Sequence, residues 1–131
     1  LGLLTDGTYE TQNSEESIVL MPWGGSKGPA QEAFAKLVGD GVPIGWRYTM
    51  YLHPLPPKLL EELRGKELVL VPELNYQGQF ASVLRSLGVK AEAITQYTGL
   101  PFKVKDLERR ISERIKHHIS RLARRQDHAL Q

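Results

Sequence analysis

The residues best placed to do chemistry lie in two short polar runs. Glu73, Asn75, Gln77 and Gln79 put four acceptor-bearing side chains into one loop, and Gly78 among them permits close approach of another backbone. Carboxylates and amides at this density can orient a ligand, meet a neighbouring subunit, or bond the loop's own backbone. In the last role Glu73 and Asn75 cap the helix that follows. The second run, Gly24-Gly-Ser-Lys-Gly28, joins an apolar segment to a helix start, where free N–H groups and the helix dipole favour an anion. Its spacing is neither Gly-x-Gly-x-x-Gly nor that of a phosphate-binding P-loop. The plainer role is a structural turn with Ser26 as helix cap, the alternative a ligand or partner contact.

Other reactive types lack a supporting pattern. Gly39-Asp-Gly41, with Asn75 downstream, looks like the metal–diphosphate signature of thiamine enzymes. There the Asp must leave the carboxyl end of a strand, whereas this triplet ends a helix and enters a strand, so it reads as a helix stop. His53, His117, His118 and His128 have no metal-binding spacing, and adjacent His117 and His118 point to different helix faces; all four are expected to be solvated. The absence of cysteine excludes disulfides, thiolate nucleophiles and cysteine-ligated zinc or iron–sulfur clusters from these residues. No Ser/His/Asp set or carboxylate pair stands out, so no catalytic, cofactor-binding or metal residue is assigned.

The elements that must position these runs alternate along the chain. Ser17 to Trp23 is a short apolar run, as expected of a strand buried on both faces, and it is far below the roughly 20 residues of a membrane span. A helix beginning near Pro29 follows, with Ala30, Phe34, Leu37 and Val38 on one stripe and Gly39 as its stop. Val42 to Met50 is rich in β-formers. His53-Pro-Leu-Pro-Pro57 then starts a short helix with Leu59, Leu60 and Leu63 inward. Glu67 to Val71 is a third buried strand, ended by Pro72, and the helix after Gln79 turns Phe80, Val83, Leu84 and Leu87 to the core. Val89 to Tyr97 reads as a half-exposed edge strand. Strands separated by such helices need crossover connections, which predicts an α/β fold with helices on both faces of a mostly parallel sheet.

The last element is a long helix from Val104 to Arg125 with Leu107, Ile111, Ile115, Ile119 and Leu122 on one stripe. Its other faces are basic: residues 103–131 carry 9 basic and 4 acidic groups within a net charge of +2. No aromatic side chains interleave the arginines, which argues against nucleic-acid binding and for a solvated or subunit-facing surface. With 131 residues and 40% hydrophobic content the chain fits one domain, 1–131. Within it 1–14 is a linker and edge strand, 15–102 the core, 103–125 the basic helix and 126–131 a tail. Nothing near Leu1 resembles a signal peptide, so a cytoplasmic location is expected, and a start at Leu1 rather than Met suggests a piece of a larger protein.

Four stretches in order carry a family resemblance. Val69-Leu-Val-Pro-Glu-Leu-Asn-Tyr-Gln-Gly-Gln79 and Tyr97-Thr-Gly-Leu-Pro-Phe102, preceded by Trp23-Gly-Gly-Ser-Lys-Gly28 and Leu52-His-Pro-Leu-Pro56, resemble the α chain of 2-oxoacid:ferredoxin oxidoreductases, especially the 2-oxoglutarate type. The likeness runs from about Ser17 to Ile115. Gly25 and Lys103 depart from it, each standing where the family favours a hydroxyl residue nearby.

The resemblance implies a three-layer α/β/α fold similar to the transketolase carboxy-terminal domain, with a five-stranded sheet of order 1-3-2-4-5 and an antiparallel first strand within Leu3 to Thr11. That order brings the loops Trp23 to Ser26 and Glu73 to Gln79 together at a crevice. The expected interface or crevice residues are Trp23, Gly24, Ser26, Glu73, Asn75, Gln77, Gly78, Gln79 and Tyr97. Family members use thiamine diphosphate, Mg, an iron–sulfur cluster and coenzyme A to decarboxylate a 2-oxoacid oxidatively, with electrons passing to ferredoxin. None of those cofactor ligands maps onto this chain. It is expected to be a non-catalytic interface domain whose partners are the rest of the α subunit and the β subunit; a homodimer stays open. The competing reading is a free-standing small-molecule-binding module that uses the same crevice.

Overall fold

A computed structural model of the chain describes residues 9–51, 54–74, 79–96 and 100–130, with side chains through 126. Five strands, β1 (Glu10–Gln12), β2 (Ile18–Leu20), β3 (Gly45–Tyr48), β4 (Leu68–Glu73) and β5 (Ala91–Thr95), form one sheet of order β1-β3-β2-β4-β5. β2 to β5 are mutually parallel and β1 runs antiparallel to β3. This is the order expected above. The described first strand, Glu10–Gln12, overlaps only the end of the stretch expected to hold it, whose beginning lies outside the described residues.

The helices are α1 (Lys27–Gly39), α2 (Pro57–Arg64), α3 (Gln79–Ser86) and α4 (Val104–Leu130), and a 3₁₀ turn at Gly24–Ser26 precedes α1. Alternation within the strands divides them into layers. Ile18, Leu20, Trp46, Leu68 and Leu70 face Ala30, Phe34 and Leu37 of α1 and Leu107, Ile111 and Ile115 of α4. Val19, Met21, Val69 and Val71 face Leu59 and Leu63 of α2 and Phe80 and Leu84 of α3. β2 and β4 are apolar on both sides because both sides are covered. Truncating one of their fully buried leucines, such as Leu70, would cost about 2–5 kcal/mol.

Val38 of α1 and Val83 of α3, expected on inner stripes, lie at the margins of those stripes and are 39% and 43% exposed. Three further expectations need correction. β4 does not end at Pro72 but continues to Glu73, paired with Ile94 and Thr95 of β5. Proline lacks an N–H, yet its carbonyl still accepts from the Trp23 amide at 3.1 Å, so the β2 side of the strand remains bonded where β2 itself has ended. Secondly, α4 runs to Leu130 rather than Arg125, about 40 Å at 1.5 Å per residue. Thirdly, Ile119 is not on its inner face: it is 51% exposed, and His118 is buried in its stead. At about 100° per residue, steps of four drift round the helix, so Ile119 falls beyond the stripe while a step of three from Ile115 returns His118 to its middle.

Candidate functional site

The described parts of the two polar runs, Trp23 to Ser26 and Pro72 to Leu74, meet at the carboxyl end of the sheet, where the winding reverses between β2 and β4. The contact is intimate. Ser26 Oγ lies 2.6 Å from the Pro72 carbonyl oxygen and 2.7 Å from that of Trp23, and it accepts from the Trp23 amide at 3.2 Å. Trp23 stacks on Phe80 with ring centroids 5.0 Å apart. Gly25 passes so close to β4 that a methyl group on it would sit 3.3 Å from Leu74 Cδ1. Gly24 takes the left-handed φ of +62° that opens the turn.

Glu73 is 1% exposed, and its carboxylate is held on two sides. Oε1 accepts from the Phe80 amide at 2.8 Å and Oε2 from the Ala81 amide at 2.9 Å, so a strand residue satisfies two of the free N–H groups that begin α3. The helix-capping role expected of Glu73 is therefore present, but it is exerted from the end of the strand. Ser26 is different: it precedes α1 without a side-chain bond to that helix, and its hydroxyl instead ties the turn to β4 across 46 residues of sequence. Gln79 opens α3 at the surface. Asn75, Gln77, Gly78 and Tyr97 lie outside the described residues.

The Gly39-Asp-Gly41 triplet is a helix stop. Gly41 has φ +84°, its amide bonds the Val38 carbonyl at 3.0 Å, and the Val42 amide bonds that of Leu37 at 2.9 Å, which together close the end of α1. Asp40 thus lies at the amino end of β3, whereas Leu74, the neighbour of Asn75, follows the carboxyl end of β4. Opposite ends of a parallel sheet cannot furnish one metal–diphosphate site. Among the described residues no group of three or more His, Asp or Glu side chains could hold a metal ion.

Two buried residues with basic side chains escaped the sequence reading. Arg47 is fully buried beneath α2, with Nη1 donating to the Trp46 carbonyl at 2.9 Å, Nη2 to that of Ser14 at 3.3 Å, and Nε 3.8 Å from the Glu62 carboxylate. Glu62 also accepts from the Tyr9 hydroxyl at 2.7 Å, so the group fastens the β1 edge to α2. His118, expected to be solvated, is only 7% exposed, while His117 is exposed. The burial of His118 was legible in the drift of the apolar stripe; nothing local signals the burial of Arg47. His53 and the side chain of His128 lie outside the described residues.

No family model matches the chain. It is 32% identical over 105 residues to 2-oxoglutarate oxidoreductase subunit KorA of Mycobacterium tuberculosis, covering 79% of this chain and 16% of that protein. It is 36% identical over 107 residues to the α subunit of 2-oxoacid:ferredoxin oxidoreductase 2 of Aeropyrum pernix, covering 77% and 17%. The chain is homologous to a segment of the 2-oxoacid:ferredoxin oxidoreductase α subunit. The fold agrees. A 2-oxoglutarate:ferredoxin oxidoreductase from Magnetococcus marinus, solved with 2-oxoglutarate, coenzyme A and succinyl-CoA bound, superposes with a TM-score of 0.72 and 28% identity over 80% of this chain and 19% of that one. The chain spans about a sixth of the length of the curated α subunits it matches.

Proposed function

We propose that this chain is the carboxy-terminal interface domain of the α subunit of a 2-oxoacid:ferredoxin oxidoreductase, serving assembly and not the chemical step. The parent would decarboxylate a 2-oxoacid oxidatively, 2-oxoglutarate being the first candidate, to an acyl-CoA while reducing ferredoxin. Thiamine diphosphate with Mg, the iron–sulfur cluster and the coenzyme A site would reside in the rest of the α subunit and in the β subunit, in the cytoplasm. Among the described residues no helix is long and apolar enough to cross a membrane.

One observation carries the reading. The polar groups described at the switch point, where an α/β fold would hold a ligand, are engaged by the chain's own backbone: both Glu73 oxygens by α3 and the Ser26 hydroxyl by Trp23 and Pro72 of β4. Beyond the carboxyl ends of β3 and β5, Met50, Tyr51 and Leu100 are 78%, 58% and 64% exposed, large apolar side chains suited to contact with the remainder of a larger subunit. Co-expression with the missing part of such an α subunit and with its β subunit is expected to give a co-purifying assembly whose 2-oxoglutarate-dependent ferredoxin reduction requires this chain. Failure to co-purify overturns the interface role. Thiamine diphosphate and Mg titrated into the chain alone should give no saturable signal, and micromolar affinity would overturn its non-catalytic character.

A further inference from the structure

We propose that the turn carrying Met50 and Tyr51 is a docking surface for the polypeptide that precedes this chain within its own α subunit, and not for the β subunit. The inference rests on the interface role proposed above and names the occupant of one part of that interface. β1 runs antiparallel to β3 with Glu10 opposite Tyr48, so the described chain enters at the carboxyl end of β3. The exposed pair sits beside that entry, in a turn that the Tyr51 amide closes on Thr49 Oγ1 at 3.0 Å. Leu100 is no part of this surface: it follows β5, which stands three strand spacings from β3, about 14 Å.

The entry is fixed in direction. The Tyr9 hydroxyl donates to Glu62 of α2 at 2.7 Å, and Glu10 accepts from Lys27 of α1 at 2.8 Å and from Trp46 of β3 at 3.1 Å. Asn13 Nδ2 donates to the Ile44 carbonyl at 3.1 Å, and the Ser14 carbonyl accepts from Lys66 Nζ at 2.8 Å and Arg47 Nη2 at 3.3 Å. A segment bonded to α1, α2 and β3 in this way transmits the position of whatever precedes it. Two side chains cannot supply the roughly 800 Å² per partner that a stable contact between separate proteins buries. Covalent linkage lifts that requirement, because a linked surface is present at an effective concentration on the order of millimolar. Such a polypeptide is large: the chain spans only 16% and 17% of the curated α subunits. The surface it turns toward a thioether and a phenol ring is apolar.

The test is methionine oxidation by dilute hydrogen peroxide, followed by peptide mass spectrometry in three preparations: the 131-residue chain, the α subunit with its upstream part in place, and that subunit bound to the β subunit. The chain has two methionines, Met50 at 78% exposed and Met21 at 1%, so the second reports whether the fold is intact. Met50 is expected to oxidise at least about fivefold more slowly in the α subunit alone than in the isolated chain. Adding the β subunit should slow it little further, and Met21 should react slowly throughout. Protection of Met50 that appears only with the β subunit would overturn the occupant named here while leaving the interface role intact. Oxidation in the complete assembly as fast as in the isolated chain would overturn the docking surface itself. Failure of the two subunits to co-purify counts against the assembly role, and the α subunit alone still reports on Met50.

Discussion

At the carboxyl end of the sheet Glu73 and Ser26 are buried and bonded to main-chain groups on every side described, whereas at the amino end His118, 7% exposed, is bonded on one side only. The first end has the polar loops and the position that usually holds a ligand; the second has a histidine whose sequence context suggested only solvation. The contrast shows that polar composition alone does not make a site. What matters is whether the buried donors and acceptors are still unsatisfied once the backbone has taken its share.

Stability measurements can break that contrast, beginning with its heaviest member. Glu73→Ala leaves the Phe80 and Ala81 amides unsatisfied at a buried helix start, and we expect a loss of about 2–4 kcal/mol in urea unfolding, since bonds to a charged acceptor are the strong ones. A loss below about 0.5 kcal/mol would mean that the carboxylate is available for another purpose. Ser26→Ala should cost about 1–2 kcal/mol by the same measurement, because the Pro72 carbonyl keeps the Trp23 amide as a partner. His118→Leu should behave in the opposite sense. Replacing a half-satisfied ring by an apolar side chain removes an unpaired donor, so the unfolding free energy should hold or rise by up to about 1 kcal/mol.

How much of this could be read beforehand follows from the range of the interactions. The strands, the helices, the layer order and the helix stop at Gly41 are written in short-range signals, namely apolar runs, proline and glycine, and the family likeness supplied the strand order. Ser26 was legible as a turn residue but not as a tie to Pro72, because its acceptor lies 46 residues away. Glu73 was placed in a loop because Pro72 looked like a terminator; only the accepting carbonyl of Pro72 shows why the strand survives it. Arg47 reads as a surface residue until α2 covers it and Ser14 and Glu62 close round the guanidinium. Ser26 and Arg47 were missed because their partners come from distant elements, whereas His118 was missed locally, in the drift of its helix stripe.

The smallest expected effect separates pairing from burial. Glu10, on edge strand β1, bonds Lys27 Nζ at 2.8 Å and Trp46 Nε1 at 3.1 Å, yet its side chain is 46% exposed. Partial burial pushes its carboxyl upward, but the hydrogen bonds from Lys27 and Trp46 and the Lys27 charge outweigh this and hold it below the usual carboxylate range. A depressed carboxyl contributes stability above its unfolded-state value and loses it as pH falls through the folded-state value. The Trp46 indole N–H resonance should therefore titrate on the acid side of the ordinary glutamate range, and Glu10→Gln should flatten that titration while scarcely moving the neutral-pH unfolding midpoint. A midpoint at or above the ordinary range would mean that burial outweighs pairing at Glu10. A neutral-pH loss for Glu10→Gln as large as that of Glu73→Ala would remove burial as the feature that distinguishes the carboxyl end of the sheet.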